Sequence, residues 1–326
     1  MKAILKKPFG ETISMRKAYG EALVELGHSR KNVVVLSADV SNSDHSAMFE
    51  AVFPQRFFNV GIAEPALVDV AVGLAHSNKI PIANTFAFLF STRALEQVRT
   101  HLCYGEANVK LAGAYAGLSD SFDGPTHHAI TDVAILRSLP RMTIVVPSDP
   151  LAVKLLLPQV VDWYGPVYIR LCRNDVPQLY NDNYDPQIGK GVMLCEGNDV
   201  TIVGTGVLLS RCIEAVDKMK AEGLSARLIE VHTIKPLDSE LLKKSARETG
   251  CLVTVEEHSI VGGLGGAVAE MLAEYIPVPV VRVGLHDCFA ETGPYDELLD
   301  RYGMGVKDII SAAHKAIRLK GEKVHI

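Results

Sequence analysis

Cysteine is sparse and scattered. The six residues, at 103, 172, 195, 212, 251 and 288, include no CxxC pair, and the chain contains no HExxH. A disulfide framework and a zinc cage are therefore not expected. No stretch approaches the roughly 20 apolar residues that a membrane-spanning helix needs. The opening MKAILKKPFGE carries charge, but its apolar stretch is too short for a signal peptide. Basic runs are missing and the net charge is −5, which gives no electrostatic reason to expect a nucleic-acid partner. No G-x-x-x-x-G-K-[ST] occurs. The glycine-rich EEHSIVGGLGGAVAE (256–270) places Gly263 and Gly265 before Val268, so the dinucleotide pattern G-x-G-x-x-G is not met. Those glycines are expected to allow close strand–helix packing. What remains is a soluble cytoplasmic protein.

Hydrophobic residues make up 48% of the 326, ample for packed cores, and the length suggests about two domains. Apolar, β-branched runs alternate with helical patterns. The runs NVVVLSADV (32–40), IPIANTFAFLF (80–90), VKLAGAYAG (109–117), MTIVVPSD (142–149) and GPVYIRLCR (165–173) read as strands. Continuous apolar strands between helices indicate βαβ units and a parallel sheet covered on both faces. MRKAYGEALVELG (15–27) reads as an amphipathic helix with Ala18, Ala22, Leu23 and Leu26 on one side. Ser148 before Asp149-Pro150 reads as the cap of another helix. The polar stretch 174–191 reads as an interdomain linker. Beyond it VTIVGTG (200–206), SARLIEVHTI (225–234), CLVTVEEH (251–258) and VPVVRVGL (278–285) repeat the α/β pattern. The fold expected is α/β, with two domains at 1–185 and 186–326, each a mostly parallel sheet flanked by helices.

Glu64 stands inside an apolar run, FFNVGIAEPALVDVAVGLA (57–75), with no arginine or lysine close in sequence. Pro65 follows, so Glu64 falls at a helix N-terminus. It is either a dipole-stabilised cap, for which glutamate is a poor choice, or a carboxylate held dry to exchange a proton. FDGPTHHAITDV places Asp123 and His127 at a turn leading into a helical pattern. They are either ordinary turn and surface residues or groups projecting at the C-terminal side of a parallel sheet, where α/β sites lie. The adjacent His127 and His128 would point in different directions on a helix and do not suggest a two-histidine metal site. TFAFLF (85–90) is either a buried strand end or a ring platform for a planar ligand. Arg16, Ser37, Arg170 and Arg173 are isolated polar groups at element ends. Arg170 and Arg173, three apart on a strand, face opposite ways, so at most one lines a given site.

Taken in order along nearly the whole chain, these pieces resemble the C-terminal half of transketolase. The matching elements are GIAE (61–64) with its helix, TF (85–86) leading to TRALEQVR (92–99), DGPTH (123–127), VPSD (146–149), YIRLCR (168–173), HTIKPLD (232–238) and EEHSIVGGLGG (256–266). The length is similar to that of the small subunit of a split transketolase, with a pyrimidine-binding and a C-terminal domain. The resemblance implies thiamine diphosphate as cofactor. The family holds the diphosphate and Mg2+ through a GDG motif on a third domain, and this chain has no GDG. It therefore implies an N-terminal partner subunit that supplies that site, with self-association into an α2β2 heterotetramer. Glu64 matches the glutamate that hydrogen-bonds N1′ of the aminopyrimidine. That contact promotes the imino tautomer that removes the thiazolium C2 proton. Phe86 matches the ring that stacks on the aminopyrimidine. A second family aromatic falls at Leu89, with Phe88 or Phe90 as the substitute. Asp123 and His127 match contacts to substrate hydroxyls. Arg16, Ser37 and Arg173 match positions that hold a sugar phosphate.

Two departures bear on substrate. Tyr115 stands where the family has a histidine eight residues before the DGP aspartate, and Phe122 replaces the preceding glutamate. Tyr115 thus joins the substrate-contact positions, and atypical sugars, branched or sulfonated, are among those expected. The activity expected is transfer of a two-carbon ketol unit from a ketose to an aldose. The alternatives are the β subunit of a 2-oxoacid dehydrogenase, a 1-deoxyxylulose-5-phosphate synthase-like enzyme and a non-catalytic regulatory subunit. DGPTH and the Arg-ending strand argue against the first; the lack of a diphosphate site argues against the second. The joint presence of Glu64, Phe86, Asp123 and His127 argues against the third.

Overall fold

The computed structural model describes residues 3–322. In the first half lie β1 (Thr12–Ser14), β2 (Val33–Ser37), β3 (Phe57–Asn59), β4 (Ile80–Phe86), β5 (Lys110–Ala114), β6 (Thr143–Val145), β7 (Val167–Arg170) and β8 (Asp175–Pro177). The second half adds β9 (Val192–Cys195), β10 (Val200–Gly204), β11 (Ala226–Glu230), β12 (Thr233–Lys235), β13 (Leu252–Ser259) and β14 (Val280–Leu285). The first sheet has the order β12-β6-β7-β5-β4-β2-β3, and all its pairs are parallel except β12 with β6. The second has the order β14-β13-β10-β11-β9, parallel apart from its β9 edge. These are the two mostly parallel, helix-flanked sheets expected, and the apolar runs supply their inner strands, except that VPVVRVGL forms the edge strand β14. Such strands are buried on both faces, so they carry apolar residues without alternation.

The helix Met15–Ser29 is capped by Ser14, whose Oγ accepts from the Lys17 backbone at 3.2 Å. It buries Ala18, Ala22, Leu23 and Leu26 as the spacing predicts, together with Met15 and Tyr19. The run SARLIEVHTI holds two strands, not one. Its tail, β12, leaves its own sheet and joins the edge of the first. The stretch 174–191 is likewise more than a linker: β8 pairs with β1, and Tyr180 and Tyr184 stack with ring centroids 3.6 Å apart in the core. Two large rings outweigh the polar composition that surrounds them. Ser148 does not cap the helix Pro150–Asp162. That role falls to Asp149, which accepts from Ala152 N at 2.7 Å, while the Ser148 hydroxyl donates to buried Glu230 at 2.5 Å.

The glycine-rich turn has a packing explanation. Glu256 accepts from the backbones of Leu264 and Gly265 at 2.7 and 2.8 Å, at the start of the helix Leu264–Tyr275. A Cβ at Gly263 would lie 2.0 Å from Glu256 Oε2. Glycine lets the carboxylate reach the helix end.

Candidate active site

The C-terminal ends of β2, β4, β5 and β7 bring the candidate residues to one rim of the first sheet, where open parallel sheets place their ligands. Glu64 is the first residue of the helix Glu64–His76, with Pro65 behind it and no side-chain cap. Its side chain is 2% exposed. Burying a lone carboxylate costs several kcal/mol, more than a helix dipole of about 0.3–1 kcal/mol returns. The structure supplies a counter-ion that the sequence reading missed. Arg93 Nη1 donates to Oε2 at 2.9 Å and to Oε1 at 3.2 Å. Arg93 comes from the turn after the helix Ala87–Ser91, 29 residues along the chain, and is itself 53% exposed. Both oxygens share one donor nitrogen, so a further hydrogen-bonding partner can be accommodated.

Phe86 ends β4. Its ring stacks on Tyr115 with centroids 4.7 Å apart and planes 14° off parallel. Tyr115 follows β5 at φ +60°, a left-handed conformation that side chains other than glycine seldom adopt. His127 meets the group edge-on, 5.5 Å from Phe88 and 6.3 Å from Phe86. Of the two candidates for a second ring, Phe88 is the one beside His127. Phe90 is wholly buried in the hydrophobic core and has no face to offer a ligand. The strand phase stops at Phe86, and one helical turn then carries Phe90 inward.

Behind Tyr115 lie two arginines. Arg16 donates through Nε to the Arg173 carbonyl at 2.8 Å, and through Nη1 to the Ser43 carbonyl at 2.7 Å and the Tyr115 hydroxyl at 3.2 Å. Its guanidinium carbon lies 5.5 Å from the Tyr115 ring centre, and that of Arg173 lies at 5.0 Å. Arg173 also donates to Asp120 Oδ1 at 2.7 Å. Burial, with Asp123 alongside, pushes the Asp120 carboxyl up to about 6 against the pull of Arg173. Asp44, buried near Arg16, is pushed up to about 7 by burial, with hydrogen bonds from Ser46 opposing. Asp123 is exposed on its turn. Ser37, expected to touch substrate, is fully buried; its hydroxyl accepts from the Val40 backbone at 3.0 Å and shapes the turn after β2. β7 ends at Arg170, so Arg173 lies beyond the strand, and the two arginines have separate partners. Arg170 is buried against Asp132 at 2.8 Å and bonds the Glu257 carbonyl at 3.0 Å.

Residues 117–124 are held from the second half of the chain. Glu257 Oε1 accepts from Leu118 N at 2.7 Å, and Gly293 N donates to the Ser121 carbonyl at 3.1 Å. Gly117, at φ +64°, lies so close that a Cβ would come 2.3 Å from the Glu257 carboxyl carbon. Arg93, Asp120 and Glu257 were not singled out from sequence; only their spatial neighbours reveal them.

Residues 11–178 match the family model described as transketolase, pyrimidine binding domain, and residues 189–309 match transketolase, C-terminal domain. A putative transketolase C-terminal section from Methanocaldococcus jannaschii is 42% identical over 90% of this chain and 93% of its own length. The 6-deoxy-6-sulfo-D-fructose transketolase subunit SqwH of a Clostridium species is 38% identical over 94% and 95%. A solved structure titled split gene transketolase, inactive beta4 tetramer, superposes with a TM-score of 0.89 at 46% identity, covering 94% of this chain and 99% of that one. With both domains matched and these relatives aligned over at least 90% of this chain, this chain belongs to the transketolase family, and the solved structure it resembles is of a split-gene transketolase.

Proposed function

We propose that this chain, joined to a subunit carrying the diphosphate and Mg2+ site, transfers a two-carbon ketol unit from a ketose to an aldose with thiamine diphosphate. The observation that carries this reading is Glu64: a buried carboxylate at a helix start, with one half-exposed partner, on the same rim as the Phe86 ring. That donor set fits an aminopyrimidine, since a carboxylate can meet a ring nitrogen while an aromatic face covers the ring. The sequence has no GDG, and relatives matched over nearly their whole length are named as a subunit and a C-terminal section. Both features support a partner that brings the metal.

Thiamine diphosphate, when bound, supplies a carbon nucleophile and stabilises negative charge at the donor carbonyl carbon. The chain's own residues do the rest. Glu64 would hold a proton at a ring nitrogen of the bound aminopyrimidine. Its desolvated position makes that bond strong, because no water competes. Phe86 fixes the ring plane, and the Tyr115 ring behind it prevents Phe86 from rotating away. His127 and Asp123 orient sugar hydroxyls, with His127 steadied against Phe86 and Phe88. Arg16 and Arg173 address the far end of the sugar. Orientation of this kind converts binding into rate.

The relatives named for split transketolases support this over a 2-oxoacid dehydrogenase β subunit, and one of them is named for a sulfonated sugar. An atypical sugar suits this chain too, since Tyr115 replaces the expected histidine. The test is a donor and acceptor screen of the chain mixed with its partner subunit, thiamine diphosphate and Mg2+. Two-carbon transfer among ketoses and aldoses is expected; turnover of pyruvate with an electron acceptor, and none of ketoses, overturns the reading.

A further inference from the structure

The far end of the site contains more acid than an anion seat needs. Arg16 and Arg173 are its two cations. Arg173 is committed to Asp120, whose side chain is 1% exposed and whose Oδ2 has no hydrogen-bond partner among the described residues. Asp123 adjoins Asp120, and Asp44 lies near Arg16. Arg16 spends its Nε and Nη1 on two backbone carbonyls and the Tyr115 hydroxyl. Tyr115 fills the space between both guanidinium groups and Phe86. A phosphate dianion entering here would meet two cations already offset by at least one buried carboxylate. The Tyr115 hydroxyl accepts from Arg16 and keeps its own O–H free to donate, a neutral donor that suits a hydroxyl or sulfonate oxygen. Like charge in a desolvated seat is a strong discriminator.

We propose that Asp120 is a specificity-determining residue: by occupying Arg173 it tunes this site for a ketose whose far end is neutral or singly charged, a hydroxyl or a sulfonate, and against a phosphate dianion. This inference rests on the transketolase reading above. The carboxylate that cancels one arginine leaves room for one negative charge at most. It also holds Arg173 against the Tyr115 ring, so the seat is built before substrate arrives.

The test uses the assembled complex, wild type and Asp120→Asn, with three donors: fructose, 6-deoxy-6-sulfofructose and fructose 6-phosphate. Asparagine keeps the shape and one acceptor for Arg173 while removing the charge. The ratio of kcat/KM for the phosphate donor to that for fructose is expected to rise about tenfold in Asp120→Asn. Asp120→Glu is expected to keep the wild-type ratio. A ratio unchanged or lowered in Asp120→Asn overturns the inference even where wild-type transfer is normal. Binding to the isolated chain gives a second readout. Inorganic phosphate, followed by 31P line width at pH 7.5, is expected to bind about tenfold more tightly to Asp120→Asn than to wild type. Equal binding by both chains overturns the inference. Absence of transfer from every donor to any aldose by the wild-type complex contradicts the underlying reading instead, and the phosphate titration still decides what Asp120 does to an anion.

Discussion

Glu64 and Arg93 form an asymmetric pair: one partner is buried and the other half in solvent. Removing the exposed partner leaves a dry carboxylate unpaired, which destabilises more than the loss of a surface ion pair does. Arg93→Ala is expected to lower unfolding stability by about 1–2 kcal/mol in urea titrations. Adding Glu64→Gln to that variant is expected to restore most of the loss, because the stranded charge is then gone; an additive double mutant would contradict the pairing. Sequence reading found Glu64 from its setting, since a charge inside an apolar run is visible without a fold. It could not find Arg93. The residue stands in the quoted TRALEQVR, but only the turn after Phe90 folds it back across 29 positions. The Phe90 assignment failed for a related reason. The pattern TFAFLF would put Phe86, Phe88 and Phe90 on one face of a strand, yet the chain turns helical at Ala87, and this phase change buries Phe90 while Phe86 and Phe88 stay partly exposed.

Among the elements, the 117–124 loop depends most on residues far away in the chain. It carries Asp120 and Asp123, and its conformation is set by β13 through Glu257. Gly117→Ala forces a side chain into φ +64° and against that carboxyl group, so a loss of about 1–3 kcal/mol is expected in chemical denaturation. Burial pushes the Glu257 carboxyl up to about 7 from 4.5, with Arg170 and the Leu118 N–H opposing. The folded chain therefore binds this proton more tightly than the unfolded one. Its contribution is present in full below about 4.5 and is lost as pH rises to about 7. Glu257→Gln keeps an acceptor for Leu118 and removes the titration. Thermal unfolding of that variant across pH 5–8 is expected to fall less steeply with rising pH than wild type; parallel curves would contradict the assignment. Apolar runs revealed the central strands because double-sided burial leaves a compositional trace. Short edge strands such as β1, β3 and β8 leave none, since three residues cannot establish a period. The Ser148 cap was misplaced by one residue because serine and aspartate are equal caps on paper. Glu230, which claims the serine, is a tertiary neighbour.

The molecule as a whole is less divided than its two matched domains suggest. β12 crosses from the second half to the first sheet, the Tyr184 hydroxyl of the 174–191 stretch donates to Glu230 at 2.7 Å, and Glu257 grips the 117–124 loop. A cut between the halves would therefore strip supports from the site, and the first half expressed alone is expected to lose cooperative unfolding. The order of motifs across both halves made the architecture legible in sequence. The charge balance at the far end of the site was not, because it depends on which carboxylate reaches which guanidinium. The central claim is that Glu64 exchanges a proton with a cofactor ring in an assembled two-carbon transferase. The most direct measurement is ketose-to-aldose transfer by the complex of this chain with its partner subunit, thiamine diphosphate and Mg2+, comparing wild type with Glu64→Gln. The account predicts transfer by wild type and a fall of about 10²–10⁴-fold in the variant, with thermal unfolding unchanged or slightly raised. Full activity in Glu64→Gln would contradict it.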